Sequence, residues 1–249
     1  MHSNSSYIAI TYMNFRIPIL FIVVITGFSA CKGKDTVAPL DKNPPEVITV
    51  NTTTDTINIY QNNIRQNNTS SIYPGGATGY LAFLRGTQNF QIRRTGTTDV
   101  LFTKAVTIDS AISYTFFVAG TTADKFFTTI DPIAAAYDTV ANDATFTRSV
   151  IRIVNASYDS GPLTVTVGTA DTVKSLAFGT ATPFMKFNAS TSQDVKIYLS
   201  NSTTTQLDTT IAFQTGLIYT LYTKGSPKGT GNAAFDIGLT INQYIPLNQ

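Results

Sequence analysis

Few side chains in this chain of 249 residues could do chemistry. There is one histidine (His2), one cysteine (Cys31) and one glutamate (Glu46); the other 14 acidic residues are aspartates, and tryptophan is absent. His2 falls inside an expected N-terminal leader and Cys31 directly after it, so the processed chain would hold no histidine and no free thiol. That removes His-based acid–base catalysis, Ser-His and Cys-His nucleophiles and the usual zinc sites. Carboxylates remain. A glycosidase needs two of them facing each other across about 5–9.5 Å, and with Glu46 placed in a tether any such pair would be two aspartates from loops. A Ser-Lys nucleophile needs no histidine, but neither Ser-x-x-Lys nor Gly-x-Ser-x-Gly occurs after the leader. Gly75-Gly76-Ala77-Thr78-Gly79 lacks the lysine of a phosphate loop and precedes a strand, and Gly225 to Gly231 reads as a turn-rich loop. No Asp-x-Asp-x-Asp-Gly calcium loop is present. The expectation is a protein without catalytic residues, metal or cofactor, with an Asp-dependent hydrolase as the remaining enzymatic alternative.

Charge and the N-terminus say where such a protein would work. Only 13% of residues are charged, about half the usual share. The net charge of +2 gives no footprint for nucleic acid. From Met13 the chain reads Met-Asn-Phe-Arg, then an apolar run from Ile17 to Thr26, then Gly27-Phe28-Ser29-Ala30-Cys31. That run is too short for a bilayer span of about 20 residues and fits a secretory signal over residues 1–30, with Met13 as the expected true start. Phe-Ser-Ala-Cys resembles the lipobox of bacterial lipoproteins, which implies lipid attachment at Cys31. Residues 31–46 (CKGKDTVAPLDKNPPE), rich in Lys and Pro, read as a flexible lipidated tether. Lys32, rather than Asp, after the cysteine points to the outer membrane, facing the periplasm or the cell surface.

The remainder repeats itself. Val50-Asn51-Thr52-Thr53-Thr54-Asp55 lies over Val154-Asn155-Ala156-Ser157-Tyr158-Asp159 at an offset of 104, and Ser113 to Gly120 lies over Ile218 to Gly225 at 105. Duplication gives two modules, 47–131 and 148–249, joined by a linker over 132–147 whose Pro132 to Ala144 stretch is the best helical candidate. Each module reads as β. Leu163, Val165 and Val167 alternate with Thr164 and Thr166, and Val195, Ile197 and Leu199 alternate with Lys196, Tyr198 and Ser200. Threonine, about forty residues, suits the outer face of such strands. In the second module strands are expected near 149–155, 162–167, 183–188, 193–200, 208–213, 217–224 and 235–243. Seven short strands in such a module predict an all-β fold of two tandem immunoglobulin-like antiparallel sandwiches. Ile108-x5-Tyr114 and Phe213-x5-Tyr219 resemble tyrosine corners: either the phenol bonds backbone upstream and pins the turn, or both rings pack on a sheet face.

Arg152-Ile153-Val154-Asn155-Ala156-Ser157-Tyr158-Asp159, followed by Leu163 to Val167 and Leu176-Ala177-Phe178-Gly179, resembles the bacterial family known as domain of unknown function 4397. The resemblance covers 148–243 well and 46–131 by register more than by motif; Tyr158 stands where the family has Pro. It implies a β-rich, extracytoplasmic, tandem arrangement and supplies no activity. Asn155, Ser157 and Asp159 are expected to build a turn, since Asx and Ser side chains bond their own backbone there; the alternative is a ligand-binding role.

Two further patterns bear on partners. Asp followed by Thr or Ser and a small or β-branched residue recurs at Thr36, Thr56, Ser110, Thr139, Thr172 and Thr209. These triads resemble acceptors for periplasmic O-glycosylation in Bacteroidetes, although a turn Asp before β-branched residues is also how strands begin. The 12 Tyr and 16 Phe could supply a sugar platform, with Tyr158 and Tyr198 expected to face outward. The functional expectation is a lipid-anchored, non-catalytic envelope protein acting as a structural or adhesive surface module toward protein or glycan. The alternative is a carbohydrate-binding surface lipoprotein using exposed Tyr and Phe.

Overall fold

Period-two runs become strands wherever one face must meet a core. In the computed structural model, which describes residues 41–68, 70–141, 148–168, 171–200 and 202–244, these runs build four sheets. The first half supplies β1 (Glu46–Asn51), β2 (Ile57–Gln61), β3 (Ile64–Arg65), β4 (Leu81–Ala82), β5 (Gly86–Arg94), β6 (Val100–Ile108), β7 (Ser113–Val118) and β8 (Phe126–Asp131). The second supplies β9 (Arg148–Val154), β10 (Leu163–Val167), β11 (Asp171–Leu176), β12 (Met185–Asn188), β13 (Ser190–Leu199), β14 (Thr205–Phe213), β15 (Leu217–Lys224) and β16 (Asp236–Tyr244). Between the halves lies α1 (Ile133–Ala141), within the stretch read as the helical candidate. It is too short to cross a bilayer.

The two halves share one topology. The first forms sheets β4-β1-β7-β8 and β3-β2-β5-β6; the second forms β12-β9-β15-β16 and β11-β10-β13-β14. In both, the first strand runs parallel to the seventh, β1 beside β7 and β9 beside β15, and the other pairings are antiparallel. The expected tandem sandwiches are therefore present, each with eight strands among the described residues where seven were expected. The offset of 104 extends to single hydrogen bonds. Asn51 Nδ2 donates to the Ile72 carbonyl at 2.9 Å, and Asn155 Nδ2 to the Leu176 carbonyl at 3.0 Å. The Thr49 and Ile153 amides donate to the Thr78 and Thr182 hydroxyls, each at 2.9 Å.

Both tyrosine corners form. The Asp109 N–H donates to the Tyr114 phenol at 3.1 Å, and the Gln214 N–H to the Tyr219 phenol at 3.0 Å. The rings also pack in the cores, so the two readings of these tyrosines hold together.

Each sandwich closes on its own core. The first packs Val47, Ile57, Ile59, Phe90, Ile92, Phe116 and Phe126 between its sheets, with Phe90 and Phe116 edge-to-face at 5.0 Å. The second packs Ile151, Ile153, Leu163, Val165, Val195, Ile197, Phe213 and Leu221. A third apolar layer lies between the sandwiches: Ile48, Val50 and Phe117 meet Val154, Ala156 and Tyr222. The strands β1, β7, β9 and β15 are thus buried on both faces, which explains their near-continuous apolar sequences. Helix α1 extends this layer, setting Ala136 against Val150 and Ile218.

Two strand features differ from the sequence reading. Glu46, read as the end of the tether, opens β1 opposite Ser113. The residues just before it are also fastened to the first sandwich: the Pro45 carbonyl accepts from the Phe83 N–H, and the Asn43 carbonyl from the Ala111 N–H, both at 2.9 Å. Strand β11 was not expected. Val173 and Leu176 are three residues apart yet both pack on the core, because the ladder to β10 shifts register between Leu163 and Val165 and Ser175 takes a φ of 54°. A bulge of this kind erases the two-residue alternation.

Candidate functional site

The turn after β9 begins from a buried amide. Asn155 is fully buried; its Nδ2 donates to the carbonyls of Gly161 and Leu176, both at 3.0 Å. Its Oδ1 accepts from the Ser157 N–H at 3.1 Å and the Thr223 hydroxyl at 3.0 Å. Ser157, also buried, donates its hydroxyl to the Gly225 carbonyl at 2.6 Å. Asp159 is exposed and accepts from the Ser226 hydroxyl. These three residues hold the turn and tie it to the end of β15.

That turn lines a cleft. Thr52, Thr53, Thr54, Gly120, Thr121, Thr122 and Lys125 come from the first sandwich; Tyr158, Gly225, Ser226 and Ala233 come from the second. The cleft has a volume of about 350 Å³. By the internal offsets, Thr54 corresponds to Tyr158 and Gly120 to Gly225, so equivalent loops of the two copies converge on it. A second hollow of about 480 Å³ adjoins it through Thr52, Thr53 and Gly225, and carries Lys224 and Asp236, paired at 2.7 Å. Tyr222, buried between the sandwiches, donates its phenol to the Gly75 carbonyl at 2.8 Å, and burial pushes that phenol up to about 12.

Residues 149–243 match the family model described as Domain of unknown function (DUF4397).

The matched stretch begins at the second residue of β9 and stops one residue short of the end of β16, so the DUF4397 match spans the second sandwich. The resemblance read from Arg152 to Asp159 is borne out there. Among solved structures, the chain is similar to a family 26 carbohydrate-binding module of Amy13K from Eubacterium rectale, crystallised with maltoheptaose. The identity is 9%, 77% of this chain and 95% of that chain are covered, and the TM-score is 0.25. It is also similar to a candidate cell-adhesion protein from Bacteroides eggerthii. There the identity is 7%, the coverage 83% and 98%, and the TM-score 0.21. No curated protein sequence matches the chain significantly.

Beside the DUF4397 turn lies a feature that sequence reading missed. Arg152, within the matched stretch, crosses to the first sandwich and pairs with Asp131 at 2.6 Å, with side-chain exposures of 2% and 0%. Arg152 also donates to the Thr220 hydroxyl at 2.8 Å, the Ile130 carbonyl at 3.0 Å and the Thr115 hydroxyl at 3.0 Å. Asp131 accepts from Tyr80 and Thr115, each at 2.7 Å. Burial, then the charge of Asp131, drives the Tyr80 phenol far above its ordinary range. The signal was an arginine between Val150 and Val154 in the outward row of β9, a position that needs a buried partner.

The other residues singled out from sequence are scattered. Thr56 and Ser110 lie half-buried in loops; Ser110 donates to Asp41. Thr172 is exposed on β11, Thr209 half-buried on β14, and Thr139 falls within α1. Tyr158 is 46% exposed at the cleft, whereas Tyr198 is half-buried on β13. Cys31 and Thr36 lie outside the described residues.

Proposed function

We propose that the chain is a non-catalytic lipoprotein of the bacterial outer membrane, anchored through Cys31. Its two sandwiches work as one rigid surface module that presents loops and sheet edges to protein or glycan. The observation carrying this reading is the buried seam between the sandwiches. The pair Arg152–Asp131 and the apolar layer of Ile48, Val50, Phe117, Val154 and Tyr222 make the duplicated units a single body. A rigid spacer suits a structural or adhesive role, and it holds the loops of both copies in fixed relation. The carboxylates support the non-catalytic reading by their engagements. Asp131 is enclosed by Arg152, Tyr80 and Thr115; Asp55 pairs with Arg94, Asp208 with Lys196, and Asp236 with Lys224.

Lipidation is tested by metabolic labelling with an alkynyl fatty acid in the native host. The wild-type chain takes up label and fractionates with the outer membrane, and Cys31→Ser loses both. An unlabelled chain with an unprocessed amino end overturns the anchored reading.

A further inference from the structure

We propose that the cleft between the sandwiches binds a neutral oligosaccharide, with Tyr158 as its stacking surface; this rests on the surface-module reading above and gives it a ligand class.

The position is particular to the pair. The cleft draws one wall from Thr52–Thr54 and Gly120–Thr122 and the other from Tyr158, Gly225 and Ser226, so neither sandwich forms it alone. Duplication supplied both walls, and then they diverged: where the first copy has Thr54, the second has Tyr158. The result is one wall of hydroxyls facing one with an aromatic ring. Thr54 and Thr121 are both exposed, and their hydroxyls form no bond with the protein among the described residues. Each can donate and accept, as a sugar hydroxyl requires. An aromatic ring offers the matching apolar surface for the C–H face of a pyranose.

Charge argues for a neutral ligand. Among the described residues, Lys125 is the one charged residue lining the cleft, and its ammonium is engaged. It lies 3.1 Å from Asp124 and sits between the rings of Tyr158 and Phe178, at 5.3 and 5.9 Å from their centroids. The walls are loops and short 3₁₀ turns rather than a strand edge, so an extended peptide finds no ladder to join here.

The walls are also preset. Gly225 holds a φ of 68°, and a Cβ there would lie 2.0 Å from the Ala234 carbonyl oxygen. A Cβ on Gly120 would come within 2.8 Å of the Lys125 side chain. Ser157 fastens the Gly225 carbonyl from below the turn. A site already ordered loses little entropy on binding, and 350 Å³ falls at the small end of small-molecule clefts.

The test is a microarray of neutral and acidic glycans probed with the intact chain, followed by calorimetric titration of any hit. A neutral oligosaccharide is expected to bind, and Tyr158→Ala to weaken it about tenfold or more. Tyr73→Ala, at a still more exposed tyrosine outside the cleft, is expected to leave binding unchanged, with unchanged melting of both variants showing that the fold is kept. No neutral glycan bound, binding of acidic glycans or peptides alone, or a neutral glycan whose affinity ignores Tyr158→Ala would each overturn the proposal. Because the readout is glycan binding and not membrane attachment, its failure would leave Cys31 labelling and envelope fractionation untouched, and the two readings fail separately.

Discussion

Arg152 Nη2 lies 2.6 Å from Asp131 Oδ1, and the pair joins β9 of one sandwich to the end of β8 in the other. Both groups are satisfied on several sides, which is the condition under which a buried ion pair is tolerable. Removing one partner strands the other charge. Asp131→Ala is expected to lower unfolding stability by about 3–5 kcal/mol. Replacing both, as Arg152→Met with Asp131→Leu, should recover most of that loss. Urea denaturation of the single and double variants measures it; a double variant no more stable than the singles would show that the surrounding hydroxyls, not the charges, dominate.

The turn of the DUF4397 stretch separates structural from surface polar residues. Asn155→Ala leaves the buried Leu176 carbonyl without its amide donor, at a cost of about 1–3 kcal/mol, and also removes the part-buried bond to the Gly161 carbonyl. Asp159→Ala, one turn away on the surface, removes only an exposed bond to Ser226 and should change stability by about 0.5 kcal/mol or less. Thermal melts of the two variants side by side distinguish them. Equal effects would mean that Asn155 has no special structural part.

The glycosylation triads are ranked by where the fold puts them. Thr172 is exposed on β11, whereas the Ser110 hydroxyl is engaged by Asp41 and within 3.5 Å of Arg85. A transferase acting on the folded chain should therefore modify Thr172 and leave Ser110 bare. Peptide mass mapping of protein from the native host checks this; glycan on Ser110 with none on Thr172 would contradict it.

The two cores were legible in the sequence, and the seam between them was not. Leu163, Val165 and Val167 show their burial by alternation, and the offset joining Asn51 to Asn155 carries through to the same carbonyl contacts in both copies. The seam is written differently. Ile48, Val50, Phe117 and Tyr222 sit on the outward faces of their strands, where a lone sandwich would carry polar residues. The continuous run Phe116-Phe117-Val118-Ala119 was the available sign that a second layer covers that face. The partner of Arg152 was hidden for another reason. Asp131 lies 21 residues earlier in sequence and meets Arg152 only once both sandwiches are folded and docked, so no local spacing could announce it. The cleft beside Tyr158 depends on the same docking.

Docking also predicts an alkaline limit. Tyr222 is buried against the first sandwich with its phenol raised by burial and by Asp236, from its ordinary 10 up to about 12. For an acid whose folded pKa is raised, the stabilisation is fully present below the unfolded value and is lost as pH climbs toward the folded one. Stability should therefore hold to about pH 10 and fall between about pH 10 and 12, by up to roughly 3 kcal/mol from this group. Tyr80, raised by burial beside Asp131, adds to the same slope without levelling in that window. Tyr222→Phe lowers stability at neutral pH by about 1 kcal/mol through the lost bond to the Gly75 carbonyl, yet flattens the alkaline decline. Denaturation midpoints taken across that range for wild type and Tyr222→Phe give the comparison. Parallel curves would mean that Tyr222 ionises without opening the seam.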